Sequence, residues 1–307
     1  MPLTLLQLRQ MFDAPLVSLL VVLLVGVLVR RRPRAEIGHS VRRWTLAAGL
    51  FAVIVIVIER LSWVVPTPTA SSTAQVLGFV APLGAGLIAV LVLMLPTALR
   101  QGTGTADLSP RTLTSFAARG WLLTLSALTV LILTVTALAG RASIPDEQGH
   151  YRHYEIELAT GVTAGTDIYG WYYSVPSIIV LALLLVATLV AVRAVARPPL
   201  TPDLAGDAPT RRWRTRNIVA ISAGAMLIHL AAVLNHLAGT AALSAGFTTD
   251  QGWVSAQPPL IILQAPMRLG ATGVELVGWF LWFAVVLAAL QSTTRETTKA
   301  PWHSVSR

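Results

Sequence analysis

The stretch SVPSIIVLALLLVATLVAV, residues 174–192, contains no charged side chain. About 20 apolar residues in a helix cross the ~30 Å hydrocarbon core of a bilayer, so this stretch predicts the centre of a membrane-spanning helix, Tyr173–Val195. The rest of the chain is similarly apolar: of its 307 residues, 54% are hydrophobic and only 12% are charged. Because a soluble chain of this length needs much more polar surface, the sequence predicts an integral membrane protein.

Six further apolar stretches are long enough to span a bilayer. They are Ala14–Val29, Thr45–Val65, Val76–Leu99, Trp121–Gly140, Ile218–Ala238 and Ala271–Leu290. The first ends in RRRPR rather than in the small-residue cleavage site of a signal peptide, so it is predicted to stay as an anchor. The predicted fold class is all-α: a polytopic membrane protein with one seven-helix transmembrane domain over residues 1–290 and a short tail, residues 291–307.

The basic residues, all arginine except one, are unevenly distributed between the two sides of this predicted bundle. The loops after the first, third and fifth spans, together with the tail, hold 18 of the 23, and the other side holds 5. The positive-inside rule places the arginine-rich side in the cytoplasm. The amino terminus is then outside, the carboxyl terminus and tail are inside, and the loops at about 141–172 and 239–270 are extracytoplasmic.

Composition also indicates location and partners. The preference for Arg over Lys, with abundant Ala, Leu and Val, is typical of a GC-rich bacterial genome and favours the cell (plasma) membrane. The lipid bilayer is therefore the first expected partner, and a membrane protein partner is a further expectation. The arginines already serve topology, so nucleic acid is not an expected partner. The absence of cysteine excludes disulfides and thiolate metal sites.

The loop PDEQGHYRHYEIELATGVTAGTDIYGWYY, residues 145–173, contains all five tyrosines and two of the six histidines. At helical spacing four of its polar residues share one face: Asp146, His150, His153 and Glu157. Such a face has the ligand types for a divalent metal such as Zn²⁺, it has histidines that titrate near pH 6.5, and it also suits the water-facing side of an amphipathic helix. The final IYGWYY is typical of an aromatic belt at the membrane surface.

Ionisable residues inside spans are costly and are candidates for function by default. The second span ends with Glu59 and Arg60, the sixth carries His229 and His236, and the seventh carries Glu275. Because the sixth and seventh spans are consecutive, a contact between His236 and Glu275 is predicted. The alternative is that these polar groups only join helices, as polar side chains commonly do in membranes.

Two proline-containing stretches indicate irregular backbone. In the third span, GFVAPLGAG (residues 78–86) predicts either a kink or break at Pro82 or close packing by small residues. In the second outer loop, PPLIILQAPM (residues 258–267) is too short to cross a membrane, and it suits a segment lying in the interface or dipping in as a lid.

Three functions are compatible with this pattern. The first is a non-enzymatic sensor, assembly partner or accessory subunit with an outward-facing polar site, which is favoured because no catalytic motif is present. The second is a small transporter or permease-like subunit, which needs polar groups from one leaflet to the other. The third is a membrane-embedded metal-dependent enzyme, which needs His150 and His153 to fold onto His236 and Glu275.

Overall fold

The structure, a computed structural model, describes residues 5–29, 36–62, 72–95, 119–159, 162–196, 204–249, 252–256 and 258–294. These contain α1 (Leu5–Val29), α2 (His39–Ser62), α3 (Ser72–Met94), α4 (Arg119–Ala142), α5 (Trp171–Ala196), α6 (Leu204–Ala241) and α7 (Ile261–Gln291). Six of them are long and apolar enough to cross a membrane, and α1 carries a shorter apolar section, Phe12–Leu28. The prediction of an all-α multi-pass membrane protein is confirmed at this level, while the number of crossings and the orientation remain predictions.

The predicted spans coincide with helices, but α1, α6 and α7 begin much earlier than expected. Helix α1 was predicted from Ala14 and begins at Leu5, and α6 was predicted from Ile218 and begins at Leu204. The seventh span was predicted from Ala271, yet α7 begins at Ile261 and takes in most of the segment predicted as an interfacial lid. Both α6 and α7 have a proline in the second turn, where it removes at most one helical hydrogen bond and does not end the helix. The predicted span ends Val65 and Leu99 lie outside the described residues.

Short strands occur at both ends of the helices. One end has the three-stranded antiparallel sheet β2 (Ile144–Pro145), β3 (Tyr151–Ala159) and β4 (Val162–Asp167), and the hairpin β5 (Ala245–Thr249) and β6 (Gly252–Ala256). We call this the sheet end; it holds the loops predicted to be extracytoplasmic. At the opposite end, β1 (Glu36–Ile37) pairs in parallel with β7 (Thr293–Thr294), so the predicted tail begins with a strand.

Helix α6 forms the centre of the bundle and packs against α3, α4, α5 and α7. Every residue from 217 to 231 is buried. Small residues allow its neighbours to approach closely: a Cβ on Gly86 of α3 would collide with Ala225, and one on Gly278 of α7 would lie 3.0 Å from the Gly224 carbonyl oxygen. Such contacts are common between membrane helices.

Helix α3 runs unbroken through Pro82. The predicted break is therefore wrong, and the alternative, close packing by small residues, applies at Gly86.

At the end opposite the sheets, arginines from one helix bind the last carbonyl groups of another. Arg42 Nε donates to Ala289 O of α7 at 2.9 Å, Arg214 donates to Leu93 O of α3 at 3.2 Å, and Arg211 donates to Val195 O of α5. The final carbonyls of a helix have no partner within it and carry the negative end of its dipole. These three arginines therefore supply the missing donors, and we call this the arginine end.

Candidate functional site

A cavity of about 400 Å³ lies between α2, α3, α6 and α7 toward the sheet end. We call it the sheet-end cavity. Among the described residues, six polar side chains line it: Glu59, Arg60, Gln75, Asn235, His236 and Glu275. Its apolar wall consists of Ile56, Gly78, Phe79, Pro82, Ile228, Ala231 and Ala232. A volume of 300–1,000 Å³ with a few polar groups among apolar ones is typical of a small-molecule site.

Each helix presents one face to this cavity. On α6, Ile228, Ala232 and His236 follow one another at four-residue steps, which places them on one side of the helix. On α2, Ile56 and Arg60 have the same spacing. The cavity is therefore built from regular helix faces, and four of the five predicted intramembrane candidates line it: Glu59, Arg60, His236 and Glu275.

Glu275 pairs with Arg60, with Arg60 Nη2 donating to Glu275 Oε1. Trp279, one turn further along α7, donates its indole N–H to the same oxygen at 3.3 Å. The Arg60 guanidinium also lies over the Trp279 ring, 5.5 Å from its centroid. The Arg60 guanidinium and the Trp279 indole N–H thus both bind the Glu275 carboxylate within the bundle.

The predicted contact between His236 and Glu275 is wrong, because Glu275 pairs with Arg60. His236 lines the same cavity, but its ring packs edge-on against Phe79 and Tyr173, at centroid distances of 5.4 and 5.9 Å, and its Nε2 has no hydrogen-bond partner among the residues that the structure describes. Glu275 instead takes the guanidinium, because Arg remains charged and donates stronger, charge-assisted hydrogen bonds to a carboxylate.

His229 lies behind the cavity wall rather than in it. The side chain is fully buried, and its Nδ1 is 2.8 Å from the Phe79 carbonyl oxygen of α3. A carbonyl only accepts, so Nδ1 carries the proton. Within the described part of the chain, Nε2 has no hydrogen-bond partner. Pro82 has no N–H, and a proline ring disturbs the preceding turn of a helix. A carbonyl group of that turn, here Phe79 O, can therefore accept a hydrogen bond from another helix. His229 therefore positions the wall of the cavity.

The segment predicted as an amphipathic helix is a β-sheet, so the helical face of Asp146, His150, His153 and Glu157 does not form. His153 and Glu157 lie on β3, where side chains alternate between faces. His153 Nε2 lies 3.2 Å from Glu155 Oε1, two residues along the strand. Among the described residues, no three His, Asp or Glu side chains are grouped so that they could hold a metal ion. The predicted divalent-metal site depended on a helical face, and these residues lie in a turn and a strand instead.

Asp146 organises the turn before β3. Its Oδ1 accepts the N–H groups of Gln148 and His150 at 2.8 and 2.9 Å, and its Oδ2 accepts Arg152 Nε at 2.5 Å. Partial burial acts to raise the pKa of Asp146, but the Arg152 guanidinium and the two backbone N–H groups outweigh it and lower that pKa from 3.8 to about 2. The carboxylate is committed to this turn.

Two of the tyrosines predicted to form an aromatic belt are buried in the bundle. Tyr169 and Tyr173 are fully buried and pack on Phe79, at centroid distances of 4.7 and 5.4 Å. Burial raises the pKa of Tyr169 to about 12, so its hydroxyl keeps its proton. The belt interpretation is wrong for these two side chains.

A chain of hydrogen bonds joins the sheet to the cavity. Arg152 of β3 donates to the Tyr173 hydroxyl at 3.5 Å, and that hydroxyl donates to Gln75 Oε1, in the cavity lining, at 2.6 Å. At the β4 edge of the sheet, Thr240 of α6 donates to the Asp167 carbonyl oxygen at 2.8 Å. Gln75 and Arg152 were not predicted from the sequence, because their roles depend on contacts between distant segments.

Helices of this length and a polar cavity between them define a multi-pass membrane protein with a candidate binding site. No family model, curated protein or solved structure matches the chain. Its function is therefore argued from the site alone.

Proposed function

We propose that this protein is a multi-pass protein of the bacterial plasma membrane that binds a small polar ligand from the extracytoplasmic side, and that it acts as a sensor or accessory subunit for a membrane protein partner. One observation carries the proposal: six polar side chains from four helices converge on a cavity of about 400 Å³. Intramembrane polar groups are costly, and their collection around one space favours a ligand-binding role.

The sheet end has the properties of a surface that reports on the cavity. With the predicted orientation, β3 faces the exterior and is connected to the cavity residue Gln75 through Tyr173. A ligand that contacts Gln75 thereby alters a hydrogen bond leading to Arg152 on the sheet. A partner bound at the sheet would sense that change, which supports a sensor or accessory role.

The arginine end gives less support to the transporter alternative. Between Thr45, Leu93, Arg214 and neighbouring side chains the packing leaves a space of about 10 Å³, about enough for one water molecule. A separate cavity of about 350 Å³ lies at the start of α2, lined by His39, Ser40, Arg43, Trp44 and Ala47, and it shares no residue with the sheet-end cavity. Midway along the bundle, Thr188 and Ser222 bond to each other at 2.6 Å. The described residues between the two ends are otherwise largely apolar, which favours a binding pocket over a path across the bundle.

The enzyme alternative also has less support. It requires His150 and His153 to converge with His236 and Glu275. Of these four, only His236 and Glu275 line the sheet-end cavity, while His153 lies on β3 beside Glu155.

The natural absence of cysteine allows a direct test. Single cysteines are introduced by Gln148→Cys at the sheet, Ala232→Cys in the cavity and Ser40→Cys at the arginine end, and intact cells are treated with a membrane-impermeant thiol reagent. We expect rapid labelling at position 148, slower labelling at 232, and labelling at 40 only after permeabilisation.

Two results would contradict the proposal. Labelling at position 40 but not at 148 in intact cells would reverse the orientation. Absence of labelling at 232 from either side of the membrane would mean that no water-soluble ligand reaches the cavity.

A further inference from the structure

The two charges of the Arg60–Glu275 pair differ in how firmly they are held. Glu275 lies near the middle of α7, its side chain is 11% exposed, and the buried Trp279 indole fixes its Oε1. Arg60 lies in the last turn of α2, and its longer side chain is 20% exposed. A long arginine side chain near a helix end can extend toward the membrane surface and place its charge in water. The Arg60 guanidinium also contacts the Trp279 ring, 5.5 Å from its centroid, but its position in the last turn of α2 and its greater exposure make it the more movable member of the pair.

Exchange is the least costly way for a charged ligand to enter such a site. Removing one member of a buried ion pair leaves an uncompensated charge, which is strongly unfavourable. If a second cation takes the position of Arg60 beside Glu275, the buried carboxylate stays neutralised throughout. An anionic ligand would instead have to displace Glu275, which is the member that the helix and Trp279 hold in place.

The charged side chains that line the cavity also favour a cationic ligand. Two carboxylates, from Glu59 and Glu275, and one guanidinium, from Arg60, face the cavity. A cation that replaces Arg60 leaves the net charge of this set unchanged, whereas an anion would add a third negative charge to it. The apolar wall, including Ile56, Phe79 and Ile228, suits the carbon skeleton of the ligand, and an aromatic ring such as Phe79 attracts a nearby cation.

We propose that the ligand of the sheet-end cavity is a small organic ammonium ion, a protonated amine on an apolar body, which replaces the Arg60 guanidinium as the partner of Glu275. This inference rests on the proposed function, since it requires that the cavity bind a ligand. The bound ammonium donates its N–H groups to Glu275, and Arg60 moves to the membrane surface. Ligand binding is thus coupled to a movement of the Arg60 side chain at the end of α2.

The first test uses two probes of matched shape and opposite charge, cyclohexylammonium and cyclohexanecarboxylate. In the full-length Ala232→Cys protein, we measure how each slows modification of the introduced thiol by the neutral reagent methyl methanethiosulfonate. We expect cyclohexylammonium to protect at concentrations at least about tenfold lower than the carboxylate.

Substitutions in the ion pair then give effects of opposite sign. Arg60→Met removes the internal competitor, so we expect several-fold stronger protection by cyclohexylammonium. Glu275→Gln removes the fixed carboxylate, so we expect that protection to be lost. The double variant Arg60→Met/Glu275→Gln removes both members of the ion pair and serves as the matched control, in which we expect most of the preference for cyclohexylammonium to be lost.

A second measurement leaves the ion pair intact and does not depend on the folding of these variants. Cationic trimethylammonium-ethyl and anionic sulfonato-ethyl methanethiosulfonates are reacted with Ala232→Cys and with the exposed control Gln148→Cys. After normalisation to the control, we expect the cationic reagent to modify position 232 at least about tenfold faster.

The outcomes separate this inference from the proposed function. Stronger protection by the carboxylate, or faster modification by the anionic reagent, would overturn the assignment of an ammonium ligand while leaving a ligand-binding cavity. A thiol at position 232 that neither probe protects and neither charged reagent reaches would overturn both.

Discussion

Arginine has different partners at the two ends of this bundle. At the arginine end, Arg42, Arg211 and Arg214 donate to backbone carbonyls at the ends of neighbouring helices. At the sheet end, Arg60 pairs with a carboxylate beside a cavity. A carbonyl at the end of a helix is a permanent acceptor that cannot leave, whereas a side-chain carboxylate can exchange one cation for another. The contacts to carbonyl groups hold neighbouring helices together at the arginine end. The ion pair at the sheet end is the one whose cation is proposed to be exchanged for a ligand.

The largest expected effect concerns the ion pair at the sheet end. Arg60→Met leaves Glu275 buried without a cation, and we expect the free energy of unfolding to fall by about 3 kcal/mol. The double variant Arg60→Met/Glu275→Gln should recover most of this loss, because it removes both charges. Thermal unfolding in detergent, compared at one temperature, measures both. Equal destabilisation by the single and double variants would show that the pair is not a coupled unit.

A smaller loss is expected at the arginine end. Arg211 is buried and donates to the Val195 carbonyl oxygen, while its neighbour Arg212 is exposed. Arg211→Met leaves that carbonyl without its donor, and we expect a loss of about 2 kcal/mol. Arg212→Met, the matched control, should change stability by less than about 0.5 kcal/mol. Similar effects of the two variants in the same thermal assay would contradict the capping role.

A third prediction sharpens the link between His229 and the cavity wall. His229→Leu removes the hydrogen bond to the Phe79 carbonyl oxygen, and we expect a loss of about 1 kcal/mol together with a several-fold change in thiol modification at Ala232→Cys. His229→Asn places an amide N–H close to the position of Nδ1 and should retain most of both properties. If Leu and Asn behave alike, His229 does not act through Phe79.

The smallest effect is a pH dependence confined to the sheet. The pKa of Asp146 is lowered from 3.8 to about 2, so its stabilisation is fully present above pH 4 and is lost as the pH falls from about 4 to 2. Hydrogen exchange at the N–H groups of Gln148 and His150 should accelerate in that window. Asp146→Asn should remove the dependence, and the neighbouring Glu147→Gln should leave it. Loosening that begins near pH 6 would instead implicate a histidine.

The helices were predictable and the sheet was not, for a physical reason. Each span is apolar over about 20 residues, so length and hydropathy are enough to find it. Asp146, His150, His153 and Glu157 fit a helical face at steps of three and four. In YRHYEIEL, residues 151–158, His153, Glu155 and Glu157 also fit a strand at steps of two, and TGVTAGT, residues 160–166, contains the turn residues of a hairpin. The aromatic and β-branched content was the stronger signal.

The candidate site was predictable residue by residue but not in its pairing. The free-energy cost of placing an ionisable side chain in a membrane makes such groups rare in spans. That cost is enough to single out Glu59, Arg60, His236 and Glu275. Which of them meet depends on how the helices are arranged, and Arg60 and Glu275 are 215 residues apart. Consecutive helices suggested His236 as the partner, but α7 also packs against α2, which brings Arg60 to it.

That separation in the chain has a consequence for biogenesis. Helix α2 is synthesised long before α7. During that interval Arg60 lies in the lipid or at its surface without Glu275, which is 215 residues further along the chain. The same delay applies to β1, whose partner β7 follows α7. Insertion of α7 is therefore the step that completes the bundle. A nascent chain halted before that step lacks both the carboxylate that pairs with Arg60 and the strand that pairs with β1.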